Sequence, residues 1–144
     1  MISNNGGTAP LACGGTKTVT FTVTSTCEAN KTCSAIFSVT NASPVVFNCP
    51  INQTEASCQT QAAIDAKFAI WLATASFSGG CNGILTNSNT GAPSACGGSV
   101  AVIFAVMSDC EPLVFCIATF TVTTAPAVVL NLSLIHISEP TRPY

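Results

Sequence analysis

Cys96-Gly97-Gly98-Ser99 decides the fold, because this stretch leads into an alternating apolar segment at residues 100–107. The same opening, Cys13-Gly14-Gly15-Thr16, stands 83 positions earlier. At this spacing residues 13–48 align with residues 96–131 without a gap, and 18 of the 36 aligned positions are identical. Self-similarity at a fixed spacing is typical of repeat proteins. The chain is therefore interpreted as a segment of a tandem array.

The alignment predicts how the chain is divided. Residues 1–41 correspond to the C-terminal half of one repeat and residues 42–44 to a linker. Residues 45–124 form one complete repeat, and residues 125–131 match the start of the next. Met1 aligns with Ile84, in the middle of a repeat, which predicts an internal codon rather than a native start.

The last residues depart from the repeat. A cysteine is expected at position 132, because Asn48 is followed by Cys49. Residues 132–144 read Leu-Ser-Leu-Ile-His-Ile-Ser-Glu-Pro-Thr-Arg-Pro-Tyr instead, and this string resembles the translated end of a transposase-based sequencing adapter. We expect a non-native tail on a metagenomic fragment, with a divergent natural tail as the alternative. This segment holds the only histidine, arginine and tyrosine of the chain.

Composition narrows the class of protein. Apolar residues make up 48% of the 144 residues and charged residues 7%, with a net charge of -2. This balance offers no basic surface for nucleic acid. No apolar run approaches the roughly 18 residues that a membrane span needs. Nine cysteines without a Cys-x-x-Cys pair indicate disulfides in an oxidising, extracytoplasmic compartment rather than a zinc site.

Two hairpins are predicted from apolar residues at every second position. In the first, residues 18–24 and 33–39 alternate, with a connection at Glu28-Ala29-Asn30. In the second, residues 99–107 and 114–123 alternate, with a connection at Glu111-Pro112. The predicted inward side chains of the second hairpin are Val102, Phe104, Val106, Cys116, Ala118 and Phe120.

An amphipathic helix is predicted over about 60–75, with Thr60 as its N-cap. Its apolar residues follow helical spacing and form one stripe. Trp71 belongs to this stripe, so we interpret it as a core residue rather than a platform for stacking sugars. The stripe consists of Ile64, Phe68, Trp71, Leu72 and Ala75.

These patterns together predict a mostly β protein: an immunoglobulin-like β-sandwich repeat with one inserted amphipathic helix. Residues 98–100, 108–110 and 116–122 resemble the closing hairpin of HYR-like modules, which are immunoglobulin-related, and Cys49-Pro50 resembles their opening. Those modules have no helix in the region of 60–75. The whole unit, with residues 59–68 and 79–83, resembles tandem repeats of very large cell-surface adhesins from Bacteroidetes (flavobacterial) bacteria.

Strand alternation predicts disulfides within the hairpins. Cys110 and Cys116 are expected to face the same side of one hairpin, and the same argument pairs Cys27 with Cys33. Elimination then leaves Cys81 with Cys96 and Cys49 with Cys58, although six cysteines permit many other pairings.

Two carboxylates, Asp109 and Glu111, flank the tip of the second hairpin, and Glu28 matches Glu111 in the first. With Ser108 and loop carbonyls they offer the beginning of a calcium site. A solvated turn is the preferred interpretation, because Thr26 replaces the aspartate in the first copy.

These observations predict a non-enzymatic, disulfide-braced structural or adhesion repeat of a secreted protein on the bacterial cell surface. Its expected partners are neighbouring repeats of the same chain and host or environmental glycans or surfaces, without a cofactor. A carbohydrate- or calcium-dependent binding module is the alternative. A hydrolase is disfavoured, because the repeats contain no histidine or arginine and no plausible pair of catalytic carboxylates.

Overall fold

The computed structural model describes residues 1–131 of the chain. The predicted non-native tail, residues 132–144, lies outside the described residues. The elements in chain order are β1 (Ile2–Asn4), β2 (Gly15–Val23), β3 (Lys31–Val39), β4 (Val46–Asn48), β5 (Gln53–Glu55), α1 (Gln61–Leu72), β6 (Ser76–Ser78), β7 (Ile84–Asn87), β8 (Gly98–Ser108) and β9 (Glu111–Val122).

The strands form three sheets within the described residues. The first sheet has the order β1-β2-β3, the second consists of β4 and β6, and the third has the order β5-β9-β8-β7. All pairs are antiparallel except β5 with β9, which run parallel. The predicted class, mostly β with one inserted helix, is confirmed.

The spacing of 83 residues is also present in the strand registers. Gly15 lies opposite Val39 in the first sheet, and Gly98 lies opposite Val122 in the third. On the other edge, Asn4 lies opposite Phe21 and Asn87 lies opposite Phe104. The three strands β1, β2 and β3 therefore repeat as β7, β8 and β9 with the same pairing. We call residues 1–41 the first copy and residues 45–124 the second copy.

Backbone groups at both ends of helix α1 have hydrogen-bond partners. The Thr60 hydroxyl accepts a hydrogen bond from the Ala63 backbone N–H at 3.2 Å, which satisfies one of the free donors at the helix start. At the other end, the Ala73 N–H still reaches the Ala69 carbonyl at 3.1 Å. The strand β6 follows after three residues, so the chain returns at once to the sheet layer.

The core of the second copy lies between α1 and the inner face of the third sheet. Phe68 and Trp71 from the helix meet Phe104 and Phe120 from the strands, with ring centroids between 5.2 and 5.7 Å apart. Edge-on and tilted contacts of this kind add to the free energy of burial. Trp71 is 2% exposed and its Nε1 donates to the Ile51 carbonyl at 2.7 Å. Its assignment to the core is confirmed.

An ion pair connects the helix to the parallel edge strand. Lys67 Nζ on α1 lies 2.6 Å from Glu55 Oε2 on β5. The hydrogen bond from Lys67, supported by one from Gln53, holds the pKa of the Glu55 carboxyl below its ordinary value. The edge strand is thus tied to the helix as well as to β9.

Within residues 1–131, no helix covers the corresponding apolar face of the first copy. Phe21 and Phe37 are 36% and 58% exposed, whereas their counterparts Phe104 and Phe120 are 0% exposed. A cavity of about 270 Å³ opens on this face, between the loop at residues 7–10 and the side chains of Val19 and Phe37. The aligned strands of the two copies therefore pair in the same register, but their apolar side chains are buried only in the second copy.

We expect unequal protection from hydrogen exchange at the backbone amides of Phe21 and Phe104. Both amides lie in the same strand register, so a difference between them reports the apolar cover above each strand. Native-state exchange measured by NMR should be more than about tenfold slower at Phe104. Equal rates would show one cooperative domain and would contradict the predicted boundary at residues 42–44.

Acid should weaken the β5–α1 contact. Because the folded-state pKa of Glu55 is lowered, its ionised form contributes stability above the ordinary value of about 4.5, and this contribution is lost as the pH falls through the folded-state pKa. Urea unfolding at several pH values should show a shallower loss of stability below pH 4.5 for Glu55→Gln than for the wild type. Lys67→Met should flatten the profile in the same way, and an unchanged profile in both variants would contradict this account.

Candidate functional site

A disulfide joins the two copies. Cys13, which precedes β2 in the first copy, is bonded to Cys110, which lies in the turn between β8 and β9 of the second copy. Their Cα atoms are 5.2 Å apart although 97 residues separate them in the chain. The first and third sheets share no strand pairing within residues 1–131, so this bond is the principal link between them.

The linker at residues 42–44 is hydrogen-bonded on both sides of this joint. The Ala42 N–H donates to the Cys13 carbonyl at 3.1 Å, on the side of the first copy. The Ser43 carbonyl accepts from the Gly80 N–H at 2.8 Å, on the side of the second copy. Immediately after the linker, the Val45 N–H donates to Glu111 Oε2 at 2.8 Å. The linker is therefore a fixed part of the joint.

Gly79 permits the close approach of the linker. It adopts φ +77°, in the left-handed region that favours glycine, and a Cβ atom at this position would overlap with the carbonyl of Pro44. Gly80, with φ +69°, leaves room for Val45 and Ser108 in the same way. The Gly79-Gly80 pair, which also ends β6, is thus needed where the linker crosses the second copy.

Ser108 organises the tip of the β8–β9 hairpin at the joint. Its hydroxyl accepts from the Cys81 N–H at 3.0 Å and donates to the Cys81 carbonyl at 3.2 Å. The Cys110 N–H lies 3.4 Å from the same hydroxyl oxygen, and the Asp109 N–H donates to the Cys81 carbonyl at 3.0 Å. Cys81 is therefore held beside Cys110, at the end of the repeat that faces the first copy.

A second disulfide lies within the second copy. Cys49, directly after β4, is bonded to Cys116 on β9, with the Cα atoms 6.3 Å apart. Cys116 packs against the core, as the strand alternation predicted. This bond connects the β4–β6 layer to the large sheet.

The predicted pairs Cys110–Cys116 and Cys49–Cys58 are wrong. Strand β9 begins at Glu111, so Glu111-Pro112 belongs to the strand and Cys110 to the turn. An irregularity between Val106 and Ser108 places two residues of β9, Pro112 and Leu113, opposite Met107. Such a bulge interrupts the alternation. The extra residue shifts the alternation of β9, so the inward orientation of Cys116 does not extend back to Cys110.

The other two predicted pairs are not bonded either. Cys33 lies opposite Phe21 on β3, while Cys27 lies in the turn before that strand, and both thiols are free. Cys81 lies at the hairpin tip and Cys96 at the opposite end of β8, so the length of the strand separates them. Both of these thiols are free as well, as is that of Cys58.

Asp109 and Glu111, the candidate calcium ligands, make structural hydrogen bonds at the joint. Asp109 Oδ2 accepts from Asn82 Nδ2 at 2.8 Å, and Glu111 Oε2 accepts from the backbone of Val45. Across residues 1–131, no group of three or more histidine, cysteine, aspartate or glutamate side chains is arranged to hold a metal ion. Glu111 therefore holds the residue that follows the linker against the hairpin, and Asp109 holds Asn82 of the second copy.

An exposed apolar patch covers the outer face of β8 and β9. Each of its side chains is at least 45% exposed. The aligned positions of the first copy are all polar, so the patch is a specific property of the second copy and not of the hairpin as such. We call it the outer patch: Ile103, Met107, Leu113, Phe115 and Ile117, aligned with Thr20, Thr24, Asn30, Thr32 and Ser34.

No family model matches the chain, and no curated protein matches it. Among residues 1–131 the one helix, α1, has 12 residues, which is too short to span a bilayer.

Removing the Cys49–Cys116 bond should destabilise the second copy. The chain-entropy model gives about 4.4 kcal/mol for a loop of 67 residues. Urea unfolding, followed by Trp71 fluorescence, should therefore show a lower free energy of unfolding for the double variant Cys49→Ala/Cys116→Ala.

Cys33→Ala provides the matched control, because Cys33 aligns with Cys116 but carries a free thiol. Its effect on the same transition should stay within about 0.5 kcal/mol. Equal effects of the two changes would contradict the assigned bond.

Proposed function

We propose that the chain is a non-enzymatic, disulfide-braced structural and adhesion repeat of a secreted bacterial surface protein. The observation that carries this proposal is the Cys13–Cys110 bond between the two copies. A bond placed between copies supports the joint of an array rather than the interior of one domain. Because such bonds persist in oxidising surroundings, they favour an extracellular setting.

A fixed joint has a mechanical consequence. An array of small domains on flexible linkers coils, whereas covalently fixed joints keep successive repeats in line and extend the reach of the protein. Many weak contacts presented along such an array raise the overall binding strength without a strong single site. The resemblance of the 83-residue unit to repeats of Bacteroidetes surface adhesins supports the same proposal.

The outer patch is the surface best suited to adhesive contact. Its aliphatic and aromatic side chains are contiguous on two neighbouring strands, and exposed apolar patches of this kind mark interaction sites. We propose that it contacts apolar surfaces.

The alternative, a carbohydrate- or calcium-dependent binding module, has less support. Trp71, the aromatic ring that would stack on a sugar, is buried in the core. Asp109 accepts a hydrogen bond from Asn82, and Glu111 accepts one from the backbone N–H of Val45, directly after the linker.

Adsorption to an alkyl-coated quartz crystal tests the adhesive part of the proposal. The variant Ile103→Thr/Phe115→Thr/Ile117→Ser gives the second copy the residues of the first copy. We expect adsorption to fall several-fold, because apolar contact area is lost, while the urea midpoint changes little, because these side chains are exposed.

Ile70→Thr is the matched control. Ile70 is 69% exposed on α1, away from the outer patch, so its replacement should leave adsorption close to that of the wild type. Unchanged adsorption of the triple variant would contradict the role of the patch. Saturable binding of calcium or of a glycan by the wild type would favour the alternative function.

A further inference from the structure

Two of the free cysteines lie at opposite ends of the second copy, Cys81 at the hairpin tip and Cys58 at the end that carries Cys96. We infer that Cys58 of one repeat forms a disulfide with Cys81 of the repeat that follows it. This inference rests on the proposed function, since it concerns the same joint.

The cysteines of one period leave these two residues without a partner. Cys49 and Cys116 bond within the repeat, and Cys13 bonds to Cys110 across the joint. Because Cys96 is the counterpart of Cys13, its partner is the counterpart of Cys110 in a following repeat. Of the six cysteines in the period, Cys58 and Cys81 remain, and both thiols are free.

Cys58 and Cys81 cannot bond within one repeat, because they lie at opposite ends of it. Cys81 is held at the hairpin tip by Ser108 and Asp109. Cys58 lies at the other end, where the neighbouring Ser57 N–H donates to Thr123 Oγ1 at 3.0 Å. Strand β8, of 11 residues, runs between the two ends and spans about 35 Å. A disulfide needs Cα atoms within about 7 Å.

The end that carries Cys58 has the same local structure as the end of the first copy that is already docked. The Ala125 N–H donates to the Cys96 carbonyl at 2.9 Å, as the Ala42 N–H donates to the Cys13 carbonyl at 3.1 Å. The tight turn before each cysteine is also the same, with bonds from Gly97 to Ser94 and from Gly14 to Leu11. The exposed end of the second copy is therefore built to receive another hairpin tip.

The docked joint shows where Cys58 would be brought. Ser57, the residue before Cys58, lies beside Thr123 and Thr124, and its hydroxyl donates to the Thr124 carbonyl at 3.5 Å. The counterparts of these threonines are Thr40 and Asn41, two residues from Ser43, whose carbonyl binds the N–H of Gly80. Gly80 precedes Cys81. When the end of one repeat docks on the hairpin tip of the next, Cys58 of the first repeat therefore lies on the same side of the joint as Cys81 of the second.

Bond formation is an oxidation by thiol–disulfide exchange. The thiols of Cys58 and Cys81 each lose a proton, and one S–S bond forms between their sulfur atoms. The two electrons pass to a disulfide oxidant such as oxidised glutathione, whose S–S bond breaks to give two thiols.

The test uses a longer chain: residues 1–124 followed directly by residues 42–124 again, so that the period is continued. The appended copy carries Cys58→Ser, to remove its own thiol at that position, and Ile84→Val as a mass tag beside Cys81. The protein is oxidised with a glutathione mixture, its free thiols are alkylated, and peptic peptides are analysed by mass spectrometry without reduction.

We expect a peptide pair that links Cys58 to the tagged Cys81 peptide, and a second pair that links Cys96 to Cys110 of the appended copy. In the original chain, treated identically, Cys58, Cys81 and Cys96 should all be alkylated. Replacing the appended Cys81 by serine should return Cys58 to the alkylated fraction.

The two outcomes that contradict the inference differ from each other. If Cys96 bonds to the appended Cys110 while Cys58 is alkylated or bonded elsewhere, the tandem joint stands and the second bond does not exist. If neither bond forms, the proposed array joint fails as well.

Discussion

The Cys13–Cys110 disulfide is the constraint on which the arrangement of the two copies depends. The sheets of the copies share no strand pairing in residues 1–131, and the linker between them is only three residues long. The bond fixes Cys13 on the hairpin tip, and this position brings the linker across Gly79 and Gly80. Glu111 and Ser43 then complete the joint with hydrogen bonds to backbone groups.

Local pairing and burial are separate properties of this repeat. The hairpins β2–β3 and β8–β9 share one register, because register depends on the chain close to the turn and on alternation along the strands. Burial depends on α1, which lies before β8 and covers only the second copy. Phe104 is consequently a core residue while the equivalent Phe21 is partly exposed.

The spacing of apolar residues predicted the helix and the long hairpin strands. It did not predict the short polar strand β5 or the disulfides. The helix stripe and the inward faces of β8 and β9 could both be predicted from the spacing of apolar residues. Strand β5, Gln53-Thr54-Glu55, has no apolar residue and forms because β9 offers a free edge. The disulfides could not be read from alternation, because the bulge opposite Met107 shifts Cys110 and because its partner belongs to the other copy. Cys96 is the counterpart of Cys13 in the second copy. Because Cys13 bonds to a cysteine of the copy that follows it, the partner of Cys96 would belong to the next copy, and Cys96 is free here.

Peptide mapping of the oxidised 144-residue chain under non-reducing conditions tests the central claim most directly. The account predicts a linked pair that contains Cys13 and Cys110, which separates into two peptides on reduction. A linked pair of Cys110 with Cys116, or of Cys13 with another cysteine of the first copy, would contradict the account, because no disulfide would then join the two copies.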